Sequence, residues 1–215
     1  MIKLRSLIGL MSIGLTASLL THVPAVVAQP SLFDSAEGQE EPATQILSNE
    51  LTYDEKTSTS VFTGDVIMTR GLLTLKADVL SLREDSEGYQ YGTATMDSEK
   101  RVYIRQERPE NFEVLEGIGE RAEYDGKADT FDLVGKARLT RYICGKPFDS
   151  ISGQRVRYFQ STDRYQAFSG PNSDNPDGRV RSIAQPRAKV DAAIEACREL
   201  QSSGATIPAP PTPQQ

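Results

Sequence analysis

Few side chains in this 215-residue chain are of a type and spacing that do chemistry. Its single histidine is His22, so Ser-His-Asp, Cys-His and most zinc chemistries all depend on whether that residue stays in the working protein. Gly117-Ile118-Gly119-Glu120-Arg121-Ala122 fits the G-x-G-x-x-A dinucleotide pattern, which must open a helix after a strand. Gly126 follows too soon, and a two-residue alternation resumes at Phe131, so no helix fits and the motif reads as a turn. Glu84-Asp85 with Glu87, and Glu40-Glu41, are the acidic clusters that would serve calcium binding or glycoside hydrolysis. No D-x-[DN]-x-[DN]-G loop accompanies them, and neighbouring carboxylates in a polar turn do not oppose each other across a cleft. Cys144 and Cys197 either form a disulfide, tying the C-terminal segment to the body, or remain two free thiols; sequence alone supplies no Cα distance to decide. Arg179, Arg181, Arg187 and Lys189 flank the stretch Val180–Ile183. They would meet phosphates or an acidic partner, or simply protect a solvated strand edge with charge.

The N-terminus settles part of this. Lys3 and Arg5 precede a mostly apolar run from Leu7 to Leu20, and Val26-Val27-Ala28 offers small residues to a peptidase. Residues 1–28 therefore read as a secretory signal. The run is shorter than the roughly 20 apolar residues of a spanning helix, although an uncleaved anchor is the alternative. Cleavage removes two basic residues and no acidic one, taking the formal charge from −6 to −8, and it removes His22. A histidine-free, acidic, exported protein is a poor nucleic-acid binder and a poor host for triad or zinc catalysis. Export also places the two cysteines in an oxidising compartment.

Residues 29–43, rich in Gln, Glu, Ser and Pro, read as a flexible acidic leader, and residues 204–215 as a disordered Pro-rich tail. Within 185–203 the period becomes helical: Val190, Ala193, Ile194, Cys197 and Leu200 share one face, with Pro186 before it and Gly204 just beyond. That amphipathic helix packs on the body, caps an open end or rests on a partner. Between Thr44 and Ala184 the rhythm is two residues. Phe62, Val66 and Met68 alternate with polar residues, as do Leu73, Leu75 and Ala77, then Leu80 and Leu82. Val102 and Ile104, Phe112 and Val114, and Phe131, Leu133, Ala137 and Leu139 continue the pattern. Turn residues recur about every ten positions, and the block is read as antiparallel β: a sandwich, jelly roll or related roll.

An internal repeat sharpens that reading. Tyr53-Asp54-x-Lys56-x-x-Thr59-x4-Gly64-x4-Thr69-Arg70 returns 71 residues later as Tyr124-Asp125-x-Lys127-x-x-Thr130-x4-Gly135-x4-Thr140-Arg141, seven identities in eighteen positions. Each copy reads as turn, strand, glycine bend and strand continuation, the glycine marking a bulge where a roll turns its corner.

The run from Ile46 to Leu82 resembles the OstA-like domain of the LptA family of lipopolysaccharide-transport proteins. Phe62-Thr63-Gly64-Asp65-Val66 is similar to that family's F-T-G-N-V strand, Ala77-Asp78 to its A-D step, Val134-Gly135-Lys136-Ala137 to its second T-G-N-A strand, and Gln166-Ala167-Phe168-Ser169 to its Q-A-F-S hairpin. The acidic leader, the stretch Glu107–Asn111 and the Cys197 helix depart from the pattern. The resemblance covers about residues 44–184. It implies a twisted antiparallel β-jelly roll, open along one side, that shields lipopolysaccharide acyl chains in the periplasm without catalysis or cofactor. It also implies strand pairing at both edges: an LptC-like inner-membrane partner at the N-terminal edge, and an LptD-like outer-membrane translocon, or another copy head to tail, at the C-terminal edge. A structural or assembly module of the same fold, without lipid carriage of its own, is the alternative.

The physical case for an apolar guest stands beside the resemblance. Each buried CH2 contributes roughly 0.8 kcal/mol, while an exposed ion pair with a phosphate gives about 0–1 kcal/mol. A chain of net charge −8 after cleavage must therefore hold an anionic lipid through apolar lining. The candidate lining is Thr44, Ile46, Phe62, Val66, Met68, Leu73, Leu75, Leu80, Leu82, Val102, Ile104, Val114, Phe131, Leu133, Ala137 and Leu139. For each of these, ordinary core is the competing role.

Overall fold

The structure, a computed structural model, describes residues 42–96 and 100–210. The signal segment, nearly all of the leader and the last five residues of the tail lie outside the described residues.

Among the described residues, twelve strands form one antiparallel sheet: β1 Thr44–Leu47, β2 Glu50–Asp54, β3 Thr59–Arg70, β4 Leu73–Glu84, β5 Gln90–Thr95, β6 Val102–Arg108, β7 Glu113–Gly119, β8 Arg121–Asp125, β9 Thr130–Ile143, β10 Lys146–Phe159, β11 Arg164–Phe168 and β12 Arg181–Ile183. One helix follows, α1 Arg187–Ser202. Each of the four long strands carries different neighbours on its two halves. β3 pairs β2 along its first half and β1 along its second. β4 takes β6 then β5, β9 takes β8 then β7, and β10 takes β12 then β11. The sheet therefore divides into two legs joined along a spine, a jelly roll. One leg is built on β2, β5, β8 and β11, the other on β1, β6, β7 and β12.

The bend that makes the spine is written twice. Gly64 and Asp65 have φ of +82° and +46°, and Gly135 and Lys136 have +76° and +46°, a left-handed conformation that favours glycine. A Cβ on Gly64 would lie 2.5 Å from Asn49 Nδ2, and one on Gly135 would collide with the Glu120 carboxylate. The bulge shifts register between Thr63 and Val66 on β3. On β4 the inward side chains consequently step three residues, from Ala77 to Leu80, where strict alternation would give two. The hairpin turns repeat as well: Asp54 Oδ1 accepts the Lys56 amide at 2.8 Å, and Asp125 Oδ1 accepts the Lys127 amide at 3.0 Å. Along the spine Val66, Ala77, Val102 and Ala137 are almost fully buried.

Gly117-Ile118-Gly119 lies at the end of β7, not in a turn, which corrects the sequence reading of that motif. A Cβ at Gly117 would sit 2.6 Å from Ile104 and 2.7 Å from Leu133, so glycine is needed there for close strand packing.

α1 ends in a Schellman motif: the Ala205 amide donates to the Leu200 carbonyl at 3.0 Å, with Gly204 at φ +73°. Its Cys197 is disulfide-bonded to Cys144 in the β9–β10 turn, with Cα atoms 5.7 Å apart. Val190, Ala193, Ile194 and Leu200 pack with Phe112, Ile143 and Phe148, forming a second small core separate from that of the legs. Ile207 joins this cluster, and the backbone of Pro208 and Ala209 runs against Gly145. Part of the segment expected as a free tail, Ile207 to Ala209, thus lies against the body, with Ile207 packed on the second core.

The bridge closes a 53-residue separation, so its main effect falls on the unfolded chain. Cys144→Ser/Cys197→Ser should lower unfolding free energy by about 2–4 kcal/mol in urea titrations, and far-ultraviolet circular dichroism should remain that of a β protein.

Candidate functional site between the two legs

Residues paired across strands point to the same face, which fixes what looks into the space between the legs. From the first leg come Phe62, Leu80, Leu82, Ala94, Ala122, Phe131 and Leu133; from the second, Met68, Leu73, Leu75, Ile104 and Leu139. Toward the N-terminal strands this space is unfilled. A partly open cavity of about 360 Å³ lies there, with apolar walls from Met68, Leu75, Leu80, Leu82, Ile104 and Phe131.

The sixteen expected lining residues separate into three groups. Thr44 and the six just named reach the cavity. Val66, Leu73, Val102, Leu133 and Ala137 are packed interior, with Ile46, Phe62 and Leu139 half-buried against them. Val114 does not belong to the lining. It pairs with Tyr142 and Glu107 in the register opposite to Gly117, and it shares its face with Tyr103 and Glu116, away from the groove. The Phe112–Val114 step looked like strand alternation, but Phe112 is a left-handed residue in the β6–β7 turn, so the pattern there starts on the wrong face.

Several cavity residues escaped the sequence reading. Ala94 and Ala122 are small and sit in short strands that show little apolar alternation, and Gly92 contributes no side chain at all. Tyr53 and Tyr124 are equivalent positions of the internal repeat, and that repetition was the available signal.

The rim is polar. Arg83 lies 4.4 Å from the centre of the Tyr91 ring, and the Tyr91 hydroxyl donates to Asp85 at 2.9 Å. Desolvation pushes the Asp85 carboxyl up, but hydrogen bonds from the Tyr89 amide, Tyr91 hydroxyl and Glu87 amide offset this and hold it below the usual carboxylate range. The acidic cluster Glu84-Asp85-Glu87 thus serves a turn: Asp85 caps it, and Glu87 pairs with Lys127 at 2.6 Å. Among the described residues no three His, Cys, Asp or Glu side chains are placed to hold a metal ion.

At the other end the inward face turns ionic. Glu113, only 9% exposed, receives Arg108 at 3.2 Å and Arg141 at 3.3 Å, and Arg141 continues to Asp149 at 2.8 Å. The Gln185 amide donates to Asp149 at 2.7 Å, tying in the chain just before α1. Tyr158 and Tyr165 stack with ring centres 4.6 Å apart, and Arg108 hydrogen-bonds Tyr165 from the opposite leg. Burial works against the Arg141 guanidinium; Asp149 and Glu113 more than offset it and keep it above its ordinary value. The inward surface is therefore apolar and bordered by a cavity toward the N-terminal strands, and ionic toward the C-terminal ones.

A bent antiparallel roll whose legs enclose an apolar space is the architecture of the lipopolysaccharide-transport jelly rolls. The family model for the LptA/(LptD N-terminal domain) LPS transport protein matches residues 45–164, and the chain belongs to that family. Among solved structures the chain is similar to LptH of Pseudomonas aeruginosa, described as the LptA-homologous periplasmic component of the lipopolysaccharide transport device. The TM-score is 0.56 at 20% identity, covering 67% of this chain and 96% of that one. None of the curated proteins matches the chain. No helix among the described residues is long and apolar enough to cross a membrane.

On the outer face of the second leg, Tyr103 donates to Glu116 at 2.9 Å, and Arg105 also reaches Glu116 at 2.9 Å. Burial, then the hydrogen bond to Glu116, pushes the Tyr103 phenol up to about 12. The folded state holds this proton after the unfolded chain has released it at its ordinary value near 10. Its contribution is therefore complete below pH about 10 and is lost as pH rises toward 12. Unfolding free energy should fall across that window, and Tyr103→Phe should make the fall shallower in urea titrations from pH 8 to 11.5.

Proposed function

We propose that this protein is a non-enzymatic periplasmic carrier. It shields acyl chains of lipopolysaccharide between its legs as one segment of a bridge from an inner-membrane complex to an outer-membrane translocon. The observation that carries this reading is the unfilled space itself: six apolar side chains from both legs face about 360 Å³ that the protein's own atoms leave vacant. Interiors are normally packed to crystal density, so an apolar space of this size beside a well-packed spine marks a place for a guest. Its volume suits a length of alkyl chain, not a whole lipopolysaccharide, so chains lie in it a few at a time while the head group stays in water. Arg70 and Arg83 at the rim lie where an anionic head group would sit.

Edge strands supply the connections. Among the described residues β1 and β2 pair only with β3, and β11 and β12 only with β10, so each end of the roll offers main-chain groups for strand addition. The N-terminal edge is the side for an LptC-like partner, and the C-terminal edge for an LptD-like translocon or a following copy. Charge favours such joins: Glu50 and Asp54 lie on β2, and Arg164 and Arg181 on β11 and β12.

Native mass spectrometry of the exported, disulfide-bonded protein should show retained lipopolysaccharide. Leu82→Glu, at a partly exposed lining position, should reduce retention at least tenfold while leaving the circular dichroism spectrum and thermal midpoint close to the parent's. Full retention in a folded Leu82→Glu protein would remove the groove from the mechanism. Absence of lipid from the parent, with partners still bound at the edges, would make the protein an assembly module.

A further inference from the structure

The 71-residue repeat is larger than the motif that reveals it. β2 pairs the first half of β3 as β8 pairs that of β9, and β5 and β6 divide β4 as β11 and β12 divide β10. The domain consists of two equivalent six-strand units, β1–β6 and β7–β12, and register matches their inward positions. Leu80 stands opposite Phe62, and Val156 opposite Leu133, 71 residues after Phe62, so Leu80 and Val156 are counterparts. By the same rule Leu75 matches Ile151, and Ala94 matches Ala167. Both halves of the groove therefore have small or medium apolar walls at these positions.

At one pair of positions the halves differ. Leu82 stands opposite Ser60 on β3 and Gly92 on β5. The counterparts, opposite Phe131 on β9, are Tyr158 on β10 and Tyr165 on β11. In the first half Leu82 and Gly92 border the cavity. In the second, two phenol rings stack with centres 4.6 Å apart. The Tyr158 hydroxyl donates to Asp163 at 3.1 Å, and Arg108 hydrogen-bonds Tyr165 from the opposite leg.

Nothing in the backbone requires glycine at position 92. Its φ is not left-handed, and an added Cβ would meet only side-chain atoms, Leu82 Cδ2 at 3.3 Å and Tyr124 Cβ at 3.5 Å. Glycine inside a strand weakens it, and often marks where another group approaches closely. What the missing side chain leaves at Gly92 is volume in the cavity. We propose that this one pair of positions decides where the roll takes alkyl chain: Leu82 with Gly92 admits it to the first half, and the Tyr158–Tyr165 stack bars it from the second. The inference deepens the acyl-shielding reading above and rests on it. The stack occupies space that a chain would need, and displacing it breaks hydrogen bonds to Asp163 and Arg108.

The test exchanges the two pairs in the mature disulfide-bonded protein. Gly92→Tyr gives the first half the second half's residue, and Tyr158→Leu/Tyr165→Gly makes the reverse exchange. Affinity and stoichiometry are read by titration with cis-parinaric acid, a fatty acid that fluoresces when its chain leaves water, with circular dichroism to establish folding. Gly92→Tyr should weaken binding by about tenfold or more. The opened variant should take about twice as many chains as the parent. Gly92→Val and Tyr165→Ala, smaller steps in the same directions, carry the comparison where a full exchange does not fold. Unchanged affinity in a folded Gly92 variant, or unchanged stoichiometry in a folded tyrosine variant, overturns the proposal. A parent that binds no parinaric acid overturns it too. Exchanges that shift parinaric acid as expected, in a protein retaining no lipopolysaccharide, leave the barrier standing and remove the lipopolysaccharide reading. Retained lipopolysaccharide with exchanges that shift nothing removes the barrier alone.

Discussion

The structure depends on one backbone constraint: two strands of 12 and 14 residues, β3 and β9, must turn a corner without losing the orientation of their side chains. A straight strand pair with one apolar face can bury that face only against another element, and no helix packs over the interior of these legs. Bending the sheet at Gly64–Asp65 and Gly135–Lys136 lets the sheet cover itself. Phe62 and Val66, four residues apart, share the inner face, as do Leu133 and Ala137; the bulge between them is matched by a three-residue step on the partner strand, Ala77 to Leu80 on β4 and Gly153 to Val156 on β10, so both halves look into a common space. Left-handed conformations at non-glycine positions such as Asp65 and Lys136 are costly, by roughly 1–3 kcal/mol each, and persist because the spine is tightly packed on both sides of them.

That bend leads to asymmetry. Near the spine the legs are close enough for Val66, Ala77, Val102 and Ala137 to fill the gap. Farther out they diverge, and the two ends of the roll treat the gap differently. At the N-terminal end it stays apolar and vacant. At the C-terminal end Arg108, Glu113, Arg141 and Asp149 pair on its inward face, and the disulfide-held helix packs beside them. A partly buried ionic network adds little net stability, because desolvation consumes most of the Coulomb attraction. Its effect here is to place paired charges on the inward face at that end, where an apolar group would find no apolar wall.

Most of the scaffold was legible in the chain because alternation, turns and repeat are local. The Tyr-Asp-x-Lys turn and the glycine five residues beyond Thr59 and Thr130 reappear as hairpin and bulge. Even the three-residue step from Ala77 to Leu80 was present as a break in rhythm. The site was less legible, since alternation says which face is inward but not whether that face meets protein or open space. Leu133 and Leu82 have the same pattern; one is packed and the other borders the cavity. Val114 was misplaced because a left-handed residue at Phe112 resets the phase, and nothing local announces that conformation in a phenylalanine. The ionic end was hidden for a different reason: Arg108, Glu113 and Arg141 come from strand positions where charge normally means solvent.

On the proposed carriage of lipid the guest must also be released, and the partial exposure of the lining then matters. Complete burial of a chain of about twelve carbons would contribute nearly 10 kcal/mol, corresponding to a dissociation constant below about 0.1 μM for each chain. Several chains held so tightly would not move on. A groove with one wall open to water, and with half-buried residues such as Leu82 and Phe131 on its sides, recovers only part of that energy. Such a groove would keep acyl chains from bulk water without trapping them. A sealed cavity of the same composition would bind better and release worse, so on the proposed function the incomplete closure of the legs is the feature that would let a lipid pass along.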